Sequence, residues 1–199
     1  MAMNKLIVKT ALITLAVLLA VSSMIYLCFA LFAPSKLSEF YDGLGSGELS
    51  LHYAECAYEK SGEEGDLLIV VRRAVAAKNS EKTAKYCAVL FEKFPDFVSG
   101  EELAYYQYKY CVALCDCGEK DTAVNKAVEF SKYFEPGNPL ESLAAYGFEK
   151  KDTELLNLML NDIRLIAESP EVSAANSERA KSRIKMIEDY LGEGNHRGQ

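Results

Sequence analysis

No charged side chain interrupts the chain between Lys9 and Lys36, and the stretch TALITLAVLLAVSSMIYLCFALFAPS is apolar almost throughout. Beyond it the pattern changes: from Gly47 onward helix start and stop signals recur, and no segment alternates with the two-residue period of a half-buried strand. Ser99-Gly100-Glu101-Glu102 has the spacing of a capping box, and Asn138-Pro139 and Ser169-Pro170 place proline at a first helical position. Asn79-Ser80-Glu81 and Asp152-Thr153-Glu154 are further starts, while Gly62, Gly118 and Gly147 fall where helices stop. These signals predict helices over 47–61, 65–78, 80–94, 99–117, 119–134, 138–150, 152–168 and 170–191, an all-α fold of antiparallel helix pairs preceded by one transmembrane helix.

At about 1.5 Å per residue the uncharged run is long enough to cross a hydrocarbon core about 30 Å thick. The expected organisation is an N-terminus at 1–9, an anchor at 10–33, a linker at 34–46, a helical domain at 47–192 and a disordered tail at 193–199. A cleaved signal peptide is the rival reading, since Lys5 and Lys9 also make a basic leader. Against it, the run exceeds a signal's usual apolar length, and cleavage after Cys28-Phe29-Ala30 would leave Leu31-Phe32 at the new N-terminus. Tyr26-Leu27 is too bulky for Cys28 to be a lipoprotein site. Lys5, Lys9 and the α-amino group lie on one flank, and Lys36 followed by Glu39 and Asp42 on the other, so the positive-inside rule puts the N-terminus in the cytoplasm and the domain outside. Without Lys5 and Lys9, 20 basic residues face 29 acidic ones, a net charge of −9. Such a surface repels phosphate backbones and argues against nucleic acid as a partner.

The linker PSKLSEFYDGLGSGE offers Leu37, Phe40, Tyr41 and Leu44 for an amphipathic turn or two before it breaks. Its GLGSG has the glycines of a phosphate-cradling loop, but no strand precedes it and no lysine follows at the required spacing, so it reads as a flexible connector. The clustered carboxylates Glu63/Glu64/Asp66, Glu101/Glu102 and Asp152/Glu154 sit in first turns, where the helix dipole favours negative charge. With two histidines, no tryptophan and no GxSxG motif, the sequence predicts no enzyme and no cofactor.

Eight short-looped helices make either a bundle or a solenoid. YAECAYEK at 53–60 and YCAVLFEK at 86–93 align with Tyr53/Tyr86, Tyr58/Phe91, Glu59/Glu92 and Lys60/Lys93 in register. A period near 34 is that of tetratricopeptide helix pairs. On these residues the chain resembles a divergent tetratricopeptide (TPR-like) array. In that family an aromatic lies four residues before a turn glycine, and small residues lie five and twelve after it. Tyr58, Gly62 and Ala74 match and Leu67 departs; around Gly118, Ala123 matches while Leu114 and Phe130 depart. The resemblance covers 47–134, with only the helix-pair rhythm continuing over 138–191. It implies an α-solenoid serving as an interaction scaffold, and it carries over no catalytic residue.

One predicted helix holds YYQYKYCVALCDC, residues 105–117. On a helix Cys111 and Cys115 share a face about 40° apart, whereas Cys117 points about 160° away from Cys115. A zinc site could be assembled only by joining this pair to His52 and Cys56, also four apart; zinc more often uses tight CxxC knuckles. The plainer reading makes Cys56, Cys87, Cys111 and Cys115 small hydrophobes at helix contacts, with no metal. Five cysteines beyond the anchor is still an awkward number for an oxidising compartment. The tyrosines fall on two stripes, Leu103/Tyr106/Tyr110/Leu114 and Tyr105/Tyr108/Val112/Cys115. Both can be core, but the second also suits a half-covered wall on which the ring packs and the hydroxyl stays wet. Tyr105 and Tyr108, with Glu101 and Glu102 nearby to favour a basic partner, are therefore the candidate binding residues. The function expected is that of a single-pass membrane protein whose extracytoplasmic domain binds a protein or peptide at the membrane surface. The alternatives are a structural subunit of a membrane complex that makes contact through its anchor, with Ser22-Ser23 as a small-residue pair, or a metal-binding or enzymatic domain built on His52, Cys56, Cys111 and Cys115.

Overall fold

The computed structural model describes residues 2–131 and 137–196, and the side chains of 8–131 and 137–192. Among the described residues there are ten helices and no strand, so the fold is all-α. The chain divides into two compact units, 1–77 and 78–199.

The first unit opens with α1 (Ala2–Phe32). Its segment Val8–Phe32 is 25 residues long with a mean hydropathy of 2.5, and no part of it is buried, so by length and composition it can cross a membrane. Ala33 breaks the helix and Pro34, which lacks an N–H to leave unpaired, starts α2 (Pro34–Gly43). The amphipathic turn or two expected within the 34–46 linker is this helix of ten residues, and the expectation of a flexible connector concerns only the GLGSG that follows it. Leu37 and Ser38 of α2 are buried against α3 (Gly47–Ser61), where the Ser50 hydroxyl donates to the Ser38 carbonyl at 2.9 Å. Small polar residues that read as linker thus form a close helix contact with their hydroxyls satisfied. The glycine-rich stretch is an ordered turn, with Gly45 at φ 72° and the Ser46 amide donating to the Tyr41 carbonyl at 2.9 Å.

Three tyrosines join the end of α1 to this hairpin. The rings of Tyr41 and Tyr53 stack at 5.5 Å, Tyr26 meets Tyr53 edge-on at 6.4 Å, and the Tyr26 hydroxyl hydrogen-bonds to that of Tyr53. Lys60 of α3 donates to the carbonyl of Leu31. After the αL turn at Gly62, α4 (Glu64–Ala76) buries Leu67, Leu68, Val70, Val71 and Ala74, and Arg73 pairs with Asp42 of α2 at 2.5 Å.

The second unit contains α5 (Ser80–Lys93), α6 (Gly100–Asp116), α7 (Lys120–Phe130), α8 (Pro139–Lys150), α9 (Thr153–Glu168) and α10 (Ala174–His196). Each helix packs on the next, and α6 also packs on α8 and α7 on α9. Leu140, Leu143, Leu155, Leu156, Met159, Ile163 and Ile187 are fully buried. Three of the starts read from sequence are capped as drawn: Asn79 accepts from the Lys82 amide, Asn138 from Glu141 and Asp152 from Leu155, at 2.8 to 3.0 Å.

Other signals behave differently. Ser99 makes no side-chain cap, because the chain passes into α6 through Gly100 at φ 61° and carries the hydroxyl away from the first amides. Ser169-Pro170 forms a turn instead of a helix start, and Ser173 accepts from the Asn176 amide at the true start of α10. Gly147 lies inside α8 rather than ending it; Lys151, at φ 55°, ends the helix. A Cβ at Gly147 would sit 2.9 Å from Leu156, so the glycine is there to let α9 approach. α10 reaches His196, past the expected end at 191 and into the expected tail, whose last residues 197–199 lie outside the described residues, as do positions 132–134 of the expected 119–134 helix.

Candidate functional site

α6 carries the tyrosine stretch, and its two stripes separate as the 3.6-residue period requires. On the first, Tyr106, Tyr110 and Leu114 are buried and Leu103 is half-buried; on the second, Cys115 is buried, Tyr108 and Val112 are half-buried, and Tyr105 is 46% exposed. Glu101 and Glu102 are exposed on the first turn, next to Tyr105. Lys109 lies 5.3 Å from the ring centres of both Tyr105 and Tyr108.

The two candidate tyrosines differ in exposure, Tyr105 open and Tyr108 half-buried. Burial, and after it the nearby Glu149 carboxylate of α8, pushes the Tyr108 phenol up, as expected of a ring under the α6–α8 contact. Next to it, the Tyr146 hydroxyl of α8 donates to Asp116 Oδ1 at 2.6 Å, and Ser80 at the start of α5 donates to Asp116 Oδ2 at 2.8 Å. Burial foremost, and then this bond to a carboxylate, pushes the Tyr146 phenol well up, so it stays a neutral donor. Asp116 therefore ties three helices together, and the half-buried Tyr108 lies near that corner.

A groove opens on the other side of α6. It measures about 510 Å³ and is walled by Ala88, Phe91 and Glu92 of α5 with Pro95 after it, Leu103, Gln107 and Tyr110 of α6, and Lys126, Glu129 and Phe130 of α7. Phe91, Tyr110 and Phe130 form its aromatic floor, with ring centres 5.2 Å apart for Phe91–Phe130, 5.9 Å for Phe91–Tyr110 and 6.3 Å for Tyr110–Phe130. Burial pushes the Tyr110 phenol up. Lys126 pairs with Glu129 at 2.7 Å on the rim, and Glu92 is exposed. An apolar floor with a few polar groups at its edge suits an aliphatic or aromatic side chain, oriented by Gln107 and the rim charges. Sequence reasoning assigned Tyr110 to the core and did not single out Phe91 or Phe130 for a site. The signal available was the aligned aromatic Tyr58/Phe91 and the departure of Phe130 from the small residue the repeat pattern wants.

Of the five thiols beyond α1, three are buried, Cys56 is half-buried and Cys117 is exposed. Cys87, Cys111 and Cys115 are buried, and burial first of all pushes each up to about 12, so they remain protonated and inert. Cys117 is exposed, turned away from its neighbours as the helix spacing requires. In the first unit the His52 Nε2 and Cys56 Sγ lie 3.9 Å apart on α3. Among the described residues no three His, Cys, Asp or Glu side chains are grouped to hold a metal ion.

At the start of α9 the acidic side chains serve as cap and ion pair. Lys120 bonds to Asp152 at 2.8 Å and Glu154 at 2.7 Å, and these two carboxylates raise its ammonium to about 12. Burial works against the Asp152 carboxylate, but the bond from Lys120 and the amides of Leu155 and Glu154 outweigh it and hold the group below its ordinary value. No family model, no curated protein and no solved structure matches the chain.

Proposed function

We propose that this is a membrane-anchored binding protein, held by α1 with its N-terminus in the cytoplasm, whose helical domain takes a short apolar segment of a protein or peptide at the membrane surface. The observation that carries the reading is the groove of about 510 Å³ across α5, α6 and α7, with three aromatic rings on its floor and a charged rim. The net charge of −9 beyond Lys9 favours a partner with basic residues beside its apolar anchor. Glu101, Glu102 and the exposed Tyr105 lie away from the groove on α6, a second exposed acidic and aromatic edge apart from the proposed binding groove. A TPR-like solenoid draws its support from the packing of α6 on α8 and α7 on α9, while pairs beginning at 47, 80, 120 and 153 leave Gly118 between pairs, against the repeat pattern around it.

Retention of α1 is supported by the tyrosine cluster, since cleavage after Ala30 would remove Tyr26 from Tyr41 and Tyr53. A binding role is favoured over a catalytic one because Asp116 and Asp152 are occupied in holding helices together. Selection of displayed peptides on the full chain in lipid nanodiscs tests the reading. The selected peptides should share one large apolar residue flanked by Lys or Arg, and Gln107→Arg should abolish their binding while leaving helicity intact. Selections without such a pattern, or binding indifferent to Gln107→Arg, would remove the groove from the account.

A further inference from the structure

The first unit holds an apolar surface that the groove does not explain. Tyr26 of α1 meets Tyr53 of α3, and Leu31, five residues further along α1, meets Lys60, seven residues further along α3, so the two helices run in the same direction. Between them α2 starts beside Phe32 and brings Tyr41 back to Tyr26, their hydroxyls 3.4 Å apart, so α2 runs antiparallel to the last turns of α1. The α2–α3 turn therefore points back along α1 toward its membrane-spanning part. That tip exposes three large apolar side chains, Phe40 at 57%, Leu44 at 64% and Leu49 at 42%, beside the carboxylates of Asp42 and Glu48. A cleft of about 460 Å³ between Ser22, Ile25, Tyr26 and Phe29 of α1 and Lys36, Leu37 and Phe40 of α2 is continuous with the apolar face of the anchor.

From Thr10 to Tyr26 a helix rises about 25 Å, close to the thickness of a hydrocarbon core, and tyrosine belongs at the headgroup level. Leu44 lies about one turn below Tyr26, the 5–10 Å depth of interfacial segments. We propose that the α2–α3 tip is inserted in the leaflet on the domain's side, with Phe40, Leu44 and Leu49 at the headgroup–acyl boundary and a phospholipid acyl chain filling the α1–α2 cleft. The membrane then ends near Tyr26, and the last turns of the apolar run belong to the folded unit. The surface fitted is zwitterionic: Glu39 is held by Lys36 at 3.0 Å and Asp42 by Arg73 at 2.5 Å, Glu48 beside Leu49 is exposed and would stay at headgroup level, and the tip carries no net positive charge to seek anionic lipid. The proposal rests on α1 remaining in the bilayer.

The chain has no tryptophan, so single-tryptophan variants of the full chain report without background. Leu18→Trp, Leu44→Trp and Glu63→Trp are reconstituted into phosphatidylcholine vesicles whose acyl chains are brominated near the headgroup or at mid-chain. Leu18→Trp should be quenched most by mid-chain bromine, Leu44→Trp most by bromine near the headgroup, and Glu63→Trp, at the far end of the α3 hairpin, by neither. Quenching of Leu18→Trp without Leu44→Trp overturns the insertion and leaves the anchor standing. No quenching of Leu18→Trp overturns the anchor reading itself. If quenching of Leu44→Trp falls as protein is crowded at fixed lipid, a second copy of the chain covers the tip in place of lipid, and the proposed occupant is wrong.

Discussion

Tyr110→Ala puts the floor of the groove and the core of the second unit under one test. Tyr110 is 7% exposed and touches Phe91 and Phe130, so truncation deletes a buried ring and both aromatic contacts. Aromatic-to-alanine changes in cores cost about 3–5 kcal/mol. Because the groove lets water reach one side of the hole, the cost should fall at the lower end, about 3 kcal/mol. For a unit of this size that corresponds to a fall in Tm of roughly 10–15 °C. Tyr106→Ala, which opens no groove, should cost as much or more. Tyr105→Ala, at 46% exposure, should stay within about 0.5 kcal/mol. Thermal unfolding followed by circular dichroism at 222 nm on the full chain in detergent micelles reads all three, and Tyr110→Phe, which keeps the ring, should melt near the parent. Equal losses from Tyr105→Ala and Tyr110→Ala would mean that the two stripes of α6 are not distinguished by packing, and the placement of the groove would fail with them.

Gly147→Ala should destabilise by about 1–3 kcal/mol, because its Cβ would meet Leu156, fully buried on α9, whereas Gly65→Ala, with open space around it on α4, should stabilise by about 0.5–1 kcal/mol in the same melts. Asp152 has a lowered pKa, so its contribution is present above its ordinary 3.8 and is lost as pH falls through the lower folded value. Asp152→Asn, which keeps the cap but not the charge, should melt below the parent at pH 7 and converge with it in acid; a constant gap would contradict the ion pair with Lys120. A water-soluble maleimide should label Cys117 in the folded protein and reach Cys87, Cys111 and Cys115 only after denaturation, as mass spectrometry of peptides would report.

Local chemistry made much of the fold legible. Asn79, Asn138 and Asp152 carry their own caps, so the starts of α5, α8 and α9 could be read from three or four residues. Where a feature depends on another helix, the local signal misled. The apolar residues of α2 suggested a turn or two, but its full length and the seating of Ser38 against Ser50 depend on α3. Gly147 looked like a stop because nothing beside it in sequence announces Leu156. The candidate site divided in the same way. The buried and exposed tyrosines of α6 follow from helical spacing, but the groove needs Phe91 and Phe130 from two other helices, and Tyr108 is half-covered. Convergence of that kind is a property of packing, which one helix's pattern does not encode.

Photo-crosslinking in native membranes tests the central claim most directly, with benzoylphenylalanine placed at Gln107 in the groove and, for reference, at the exposed Asn157 of α9. A discrete product from Gln107, absent from Asn157 and lost when Ala88→Arg fills the groove of the same chain, is the result predicted. No product from Gln107, an equal product from Asn157, or a product untouched by Ala88→Arg would contradict it.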